Sequence, residues 1–140
     1  MNNIDLTLEN SPVDYHISMI KKSMLGAITV GRTSKLNQGI IFADEIYDIS
    51  STAVANLSAA IMVLRNNEPS ISTIAWRTVD NKIIQHDIES LSLLLNKMVM
   101  KTQEIFEESW ALKDELTAKT TMLEIMNWAT DNKLISKPAE

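Results

Sequence analysis

The chain has 140 residues, 45% of them hydrophobic, a net charge of −5 and no cysteine. Its size allows one domain with a real core, and the missing thiols exclude disulfides, thiolate metal sites and a cysteine nucleophile. With Lys21-Lys22 as its one adjacent basic pair, it lacks the basic face that a nucleic-acid duplex or an anionic membrane requires.

Residues 1–10 are polar and read as an extended arm. They lack the basic start and apolar middle of a signal peptide, so the chain is expected to be soluble and not exported by that route. Ser11-Pro12 reads as a cap followed by proline at the first helical position. Val13, Ile17, Ile20 and Met24 follow at helical spacing and predict a helix near 12–25. Tyr15, Ile17 and Met19 also alternate, which keeps a strand open as the rival. Gly26 is expected to end either element. Ala27 to Val30 reads as short and extended, and Gly31 to Gln38 as a loop.

Gly39-Ile40-Ile41-Phe42 predicts a strand, Ala43-Asp44 a turn, and Glu45-Ile46-Tyr47 the returning strand. Ser50-Ser51 offers a cap for a helix running to about Arg65, with Val54, Leu57, Ile61 and Leu64 on one face. Asn66-Asn67-Glu68-Pro69 stops it, because proline disfavours helix at the residue before it. Ile71 to Thr78, the pair Asp80-Asn81, and Lys82-Ile83-Ile84 predict a second hairpin.

Asp87 opens the longest element. Ile88, Leu91, Leu95, Met98, Thr102, Ile105, Ser109, Leu112 and Leu116 recur in steps of three and four, a heptad seam. No glycine or proline interrupts residues 87–119, and a helix of about 30 residues would be about 45 Å long. A second stripe passes through Leu94, Val99, Phe106 and Trp110. Thr121 and Glu124 have capping-box spacing and start a short helix through Trp128; Thr130 to Glu140 is expected to fray. The fold class is therefore α+β: two short β-hairpins packed on a medium helix and one long C-terminal helix, with an N-terminal arm or helix. Residues 1–38 form the arm and connector, 39–129 the domain, and 130–140 a flexible tail.

Motifs that could carry chemistry are weak. Gly26 to Thr33 approaches a phosphate-binding loop, but Arg32 stands where the lysine belongs and no strand–loop–helix unit surrounds it; a plain connector is the competing reading. His16 and His86 lack the companions that a zinc site needs. Glu104, Glu107 and Glu108 could pair for acid–base work, but they cluster beside Lys101 on what reads as a solvated charged face. No Gly-x-Ser-x-Gly elbow is present. Trp76 and Trp110 read as core, Trp128 as an interface anchor.

The chain expects no enzyme activity and no cofactor or metal. The long helix carries more apolar surface than the small sheets can cover, so the flanking helices or a second chain must cover the rest. Leu91, Leu94, Met98, Ile105 and Leu112, with Trp128, are the expected subunit contacts of a homo-oligomer.

From about Gly39 to Trp128 the chain resembles a domain of unknown function found in bacteriophage tail and tail-fibre-region proteins. The likeness lies in an ordered set. It begins with Gly39-Ile40-Ile41-Phe42 and its returning strand, then the alanine-rich helix Ala53 to Leu64. Ile74-Ala75-Trp76-Arg77-Thr78-Val79-Asp80-Asn81 follows as a tryptophan hairpin, and the long helix ends in Trp110-Ala111-Leu112-Lys113 before the Thr120-Thr121 break. Length and arm also resemble the small collar proteins of siphophages with L-shaped side fibres. The resemblance implies a virion protein made in the host cytoplasm, ringing the tail near its tip and holding side tail fibres. It carries no catalytic residue. A tail-fibre assembly chaperone, a regulatory module binding one host helix, and a small enzyme using the Gly26–Thr33 loop are the alternatives.

Overall fold

A computed structural model describes residues 12–68 and 70–135. Its element order is α1 (Pro12–Asn37), β1 (Ile40–Phe42), β2 (Glu45–Tyr47), α2 (Ser51–Asn67), β3 (Ile74–Arg77), β4 (Ile83–His86), α3 (Ile88–Ala118) and α4 (Met122–Asp131). The fold is α+β, with two antiparallel two-stranded sheets, β1 with β2 and β3 with β4. The expected arm over 1–10, the cap at Ser11 and residues 136–140 lie outside the described residues.

Two compact units make up the chain. One is built from residues 32–107; the other joins the described residues up to Gly31 with those from Glu108 onward. The units thus divide the chain inside α1 and α3, and not at the ends of the expected 39–129 block.

In the 32–107 unit, each hairpin follows from its turn residues. Phe42 pairs with Glu45 around Ala43-Asp44, and both loop residues have positive φ, 48° and 65°. That is the mirror-image turn whose twist matches the strands it joins. In the second hairpin Asn81 takes the left-handed conformation, φ 64°. Its N–H donates to the Thr78 carbonyl at 3.0 Å, and the Thr78 N–H donates to the Lys82 carbonyl at 2.8 Å. The hairpins are tied together, since the Val79 N–H donates to the Ile46 carbonyl at 2.8 Å and Lys82 Nζ donates to Glu45 Oε1 at 3.0 Å.

Helix α2 starts where Ser50 Oγ accepts the Ala53 N–H at 3.1 Å, with Asp48 holding the serine backbone at 2.9 Å. It stops at Glu68, whose backbone is extended ahead of the proline. Asp87 caps α3 by accepting the Ser90 N–H at 2.8 Å. Leu57, Ile61 and Leu64 of α2 and Leu91, Leu94, Met98 and Ile105 of α3 meet Ile40, Tyr47 and Ile49 in one buried cluster. Trp76 and Phe42 pack against it from the hairpins.

The other unit has a smaller core of Ile28, Leu116, Ile125, Trp128 and Ala129, flanked by Ile17, Ile20, Met24, Leu112, Leu134 and Ile135. Thr121 opens α4, its hydroxyl accepting the Glu124 N–H at 3.2 Å. Where fraying was expected from Thr130, α4 runs to Asp131 and a hydrogen-bonded cap follows. Lys133 takes φ 59°, and the Leu134 N–H reaches back to the Ala129 carbonyl at 2.8 Å while the Lys133 N–H reaches Thr130 at 3.1 Å. These are the paired bonds of a Schellman cap, with Leu134 returned to the core.

The largest correction is in α1. Gly26 does not end the helix, Ala27 to Val30 is not extended, and Gly31 to Asn37 is helical, not loop. Each glycine costs about 1 kcal/mol against alanine in a helix. The apolar face running Ile17, Ile20, Met24 and Ile28 continues across Gly26, and Ile28 is 3% exposed. The helix runs instead to Asn37, and Gly39 follows at φ 69°, where a side chain would collide with the Tyr47 carbonyl. Nothing lies within 4 Å of where a Cβ would stand at Gly26. Gly26→Ala is therefore expected to stabilise the chain by about 0.5–1 kcal/mol in a denaturant titration.

Candidate protein contact surface

Of the six residues expected to form subunit contacts, Leu91, Leu94, Met98, Ile105 and Trp128 are buried within the chain and Leu112 is half-buried. Leu91, Leu94 and Met98 are 0% exposed and Ile105 2%, and all four belong to the core of the 32–107 unit. Leu112 packs, and Trp128 is buried, in the other core. Trp128 Nε1 donates to Glu115 Oε2 at 2.9 Å, which satisfies its polar edge. The expectation of a subunit contact along the heptad seam is corrected accordingly: of the two covers that were open, flanking helices or a second chain, the chain's own α2, hairpins and N- and C-terminal helices cover the buried seam residues.

What remains outside is a different set. Along α3, Leu93 is 59% exposed, Val99 48%, Met100 65% and Trp110 49%. Ile41 on β1 and Leu123 on α4 are also exposed, as are Val13, Tyr15 and Met19 at the start of α1. A groove of about 720 Å³ opens beside β1, lined by Ile40, Ile41, Lys97, Met100, Lys101 and Glu104 among others. A second, of about 560 Å³, lies between Arg65 of α2 and Ile88, Glu89 and Leu93 of α3.

The buried polar network of the 32–107 unit was not foreseen. Tyr47 OH lies 3.0 Å from His86 Nε2, and His86 Nδ1 lies 2.7 Å from Ser90 Oγ. Tyr47 and His86 are 1% and 4% exposed. Their sequence separation hides the first contact, whereas the i,i+4 spacing of His86 and Ser90 was visible. His86 was expected to be a polar residue at a helix start; it sits just before the Asp87 cap but points into this network. The serine–histidine pair lines neither groove, so the network serves to join β2, β4 and α3. Burial lowers the His86 pKa from its ordinary 6.5, with Asp87 opposing. Burial first, then the Glu45 charge, raises that of Tyr47.

A depressed histidine pKa makes stability pH-dependent with a definite sign. Above 6.5 the imidazole is neutral in both states and its contribution is complete. As pH falls below 6.5 the unfolded chain takes up the proton first, so stability drops until the folded-state value is passed. Melting temperatures measured from pH 7.5 downward should fall below pH 6.5 more steeply for the wild type than for His86→Gln.

The other candidates resolve by geometry. Gly26 to Thr33 lies inside α1, where backbone amides are committed to the helix and do not form a phosphate cradle. Glu104, Glu107 and Glu108 are exposed, and Lys101 Nζ is 3.6 Å from Glu104 Oε1. His16 is exposed. Among the described residues no group of three or more His, Asp or Glu could hold a metal ion, and no helix is long and apolar enough to cross a membrane.

No curated protein and no solved structure matches the chain. Residues 19–131 match a domain of unknown function, DUF4376. The match begins within α1 and so takes in the helical stretch before Gly39. It spans both compact units, and the chain belongs to the DUF4376 family.

Proposed function

We propose that this protein is a structural component of a bacteriophage tail, a collar or ring protein that assembles around the tail near its tip and anchors side tail fibres. The observation that carries the reading is the ordered set from Gly39 to Trp128, each part now a folded element: the Ile41 hairpin, the Ser50-capped helix, the Trp76 hairpin and the Trp110 helix. Ile41 at 70% and Met100 at 65% exposure line one groove, and this adjoining apolar pair supports contact with another protein. The acidic net charge of −5 favours protein partners over nucleic acid. In this reading the partners are further copies of the chain, other tail proteins and the side fibre. The contacts lie on the outer faces of the helices and hairpins, since the seam is buried.

A tail-fibre assembly chaperone has the same surface needs. Mass spectrometry of purified virions separates the two. A collar protein is retained in stoichiometric amount with the tail proteins. A chain abundant in the infected lysate but missing from virions is a chaperone.

A further inference from the structure

The outer face of α3 in the 32–107 unit carries an ordered charge pattern. Lys97 and Lys101 come first and Glu104 and Glu107 follow, all four lining the groove beside β1 with Met100 between them. Met100 is 65% exposed and Ile41, across the groove, 70%. Three of the charges have surface partners, Lys101 lying 3.6 Å from Glu104 and Glu107 accepting from Gln103 at 3.1 Å, while Lys97 Nζ stands 5.5 Å from the centre of the Phe42 ring. Such exposed pairs are weak and exchange readily.

The geometry points to this face as a twofold contact between two copies of the chain, with their α3 helices antiparallel. An axis midway between the levels of Thr102 and Gln103 sets Lys101 of one copy opposite Glu104 of the other, and Lys97 within one residue of the level of Glu107. The reciprocal pairs follow by symmetry, because an isologous contact uses the same patch twice. Parallel packing would oppose like charges. Met100 and Ile41 supply the apolar centre, and the charges set direction and partner choice more than affinity. This deepens the self-assembly part of the tail reading by naming a contact face. Because a twofold contact closes on itself, a ring needs a second, different surface.

Sedimentation velocity of the 140-residue chain at low salt, over a range of concentrations, tests it. The wild type should form a salt-sensitive dimer. The doubly reversed variants K97E/K101E and E104K/E107K should each lose at least about tenfold in dimer affinity. Mixing them one to one should restore a heterodimer, because each then meets opposite charges. The quadruple variant K97E/K101E/E104K/E107K should pair with itself, and it answers the question even if a double variant misfolds by circular dichroism. A wild type that stays monomeric, an assembly unaffected by either reversal, or a mixture and quadruple variant that fail to recover would each overturn the contact. Virion mass spectrometry reads the tail assignment independently, so the failure of one is distinguishable from the failure of the other.

Discussion

Trp128→Ala is expected to destabilise the chain by about 4 kcal/mol, in the range of buried tryptophan truncations. Trp128 is 7% exposed and is one of five buried residues in the smaller core among the described residues. Its removal leaves a large cavity beside Ile125 and Leu116 and frees Glu115 from the indole N–H. Urea denaturation followed by far-ultraviolet circular dichroism and by tryptophan fluorescence measures the loss. The two probes are needed because the chain holds two compact units that need not unfold together. A loss under about 1 kcal/mol accompanied by failed self-association would return Trp128 to the role of an interface anchor.

Leu94→Ala should cost about 3 kcal/mol in the same titration, while its neighbour Leu93→Ala should stay within about 0.5 kcal/mol. Leu94 is 0% exposed and Leu93 is 59% exposed, so two adjacent leucines on one helix report opposite environments. Leu94 sits in the ten-residue core with Leu91, Met98, Leu57 and Leu64, where a lost isobutyl group leaves a cavity that close-packed neighbours fill only in part. Equal effects from the two substitutions would mean that α3 does not present this face to the core.

Much of the fold was legible because local chemistry and global packing agree. Ala43-Asp44 and Asp80-Asn81 marked both turns, Ser50 marked the start of α2, and the three-four spacing from Ile88 to Leu116 marked the inward face of α3. The same spacing could not show what covers that face. Periodicity states that a stripe must be buried, not whether α2 or another subunit buries it. The Leu91, Leu94 and Met98 contacts were misassigned for that reason.

Two glycines concealed the second half of α1. Gly26 and Gly31 read as punctuation, but the apolar face carried through Ile28 outweighs their helix penalty. At the other end, the Schellman cap was hidden because Lys133, not glycine, takes the left-handed position. The Tyr47–His86 contact joins residues 39 positions apart, a pairing that becomes apparent only once the two hairpins are placed side by side. The outer groove was equally invisible, since Ile41 and Met100 meet there only through the packing of β1 on α3.

Electron cryomicroscopy of virions assembled from the genome that encodes this chain would place the protein most directly. The account predicts density for copies of the α+β fold repeated around the tail axis near its tip, in contact with the base of the side fibres, with Leu94 and Trp128 inside each copy. Tails of normal composition with no density for the chain at any position would contradict it.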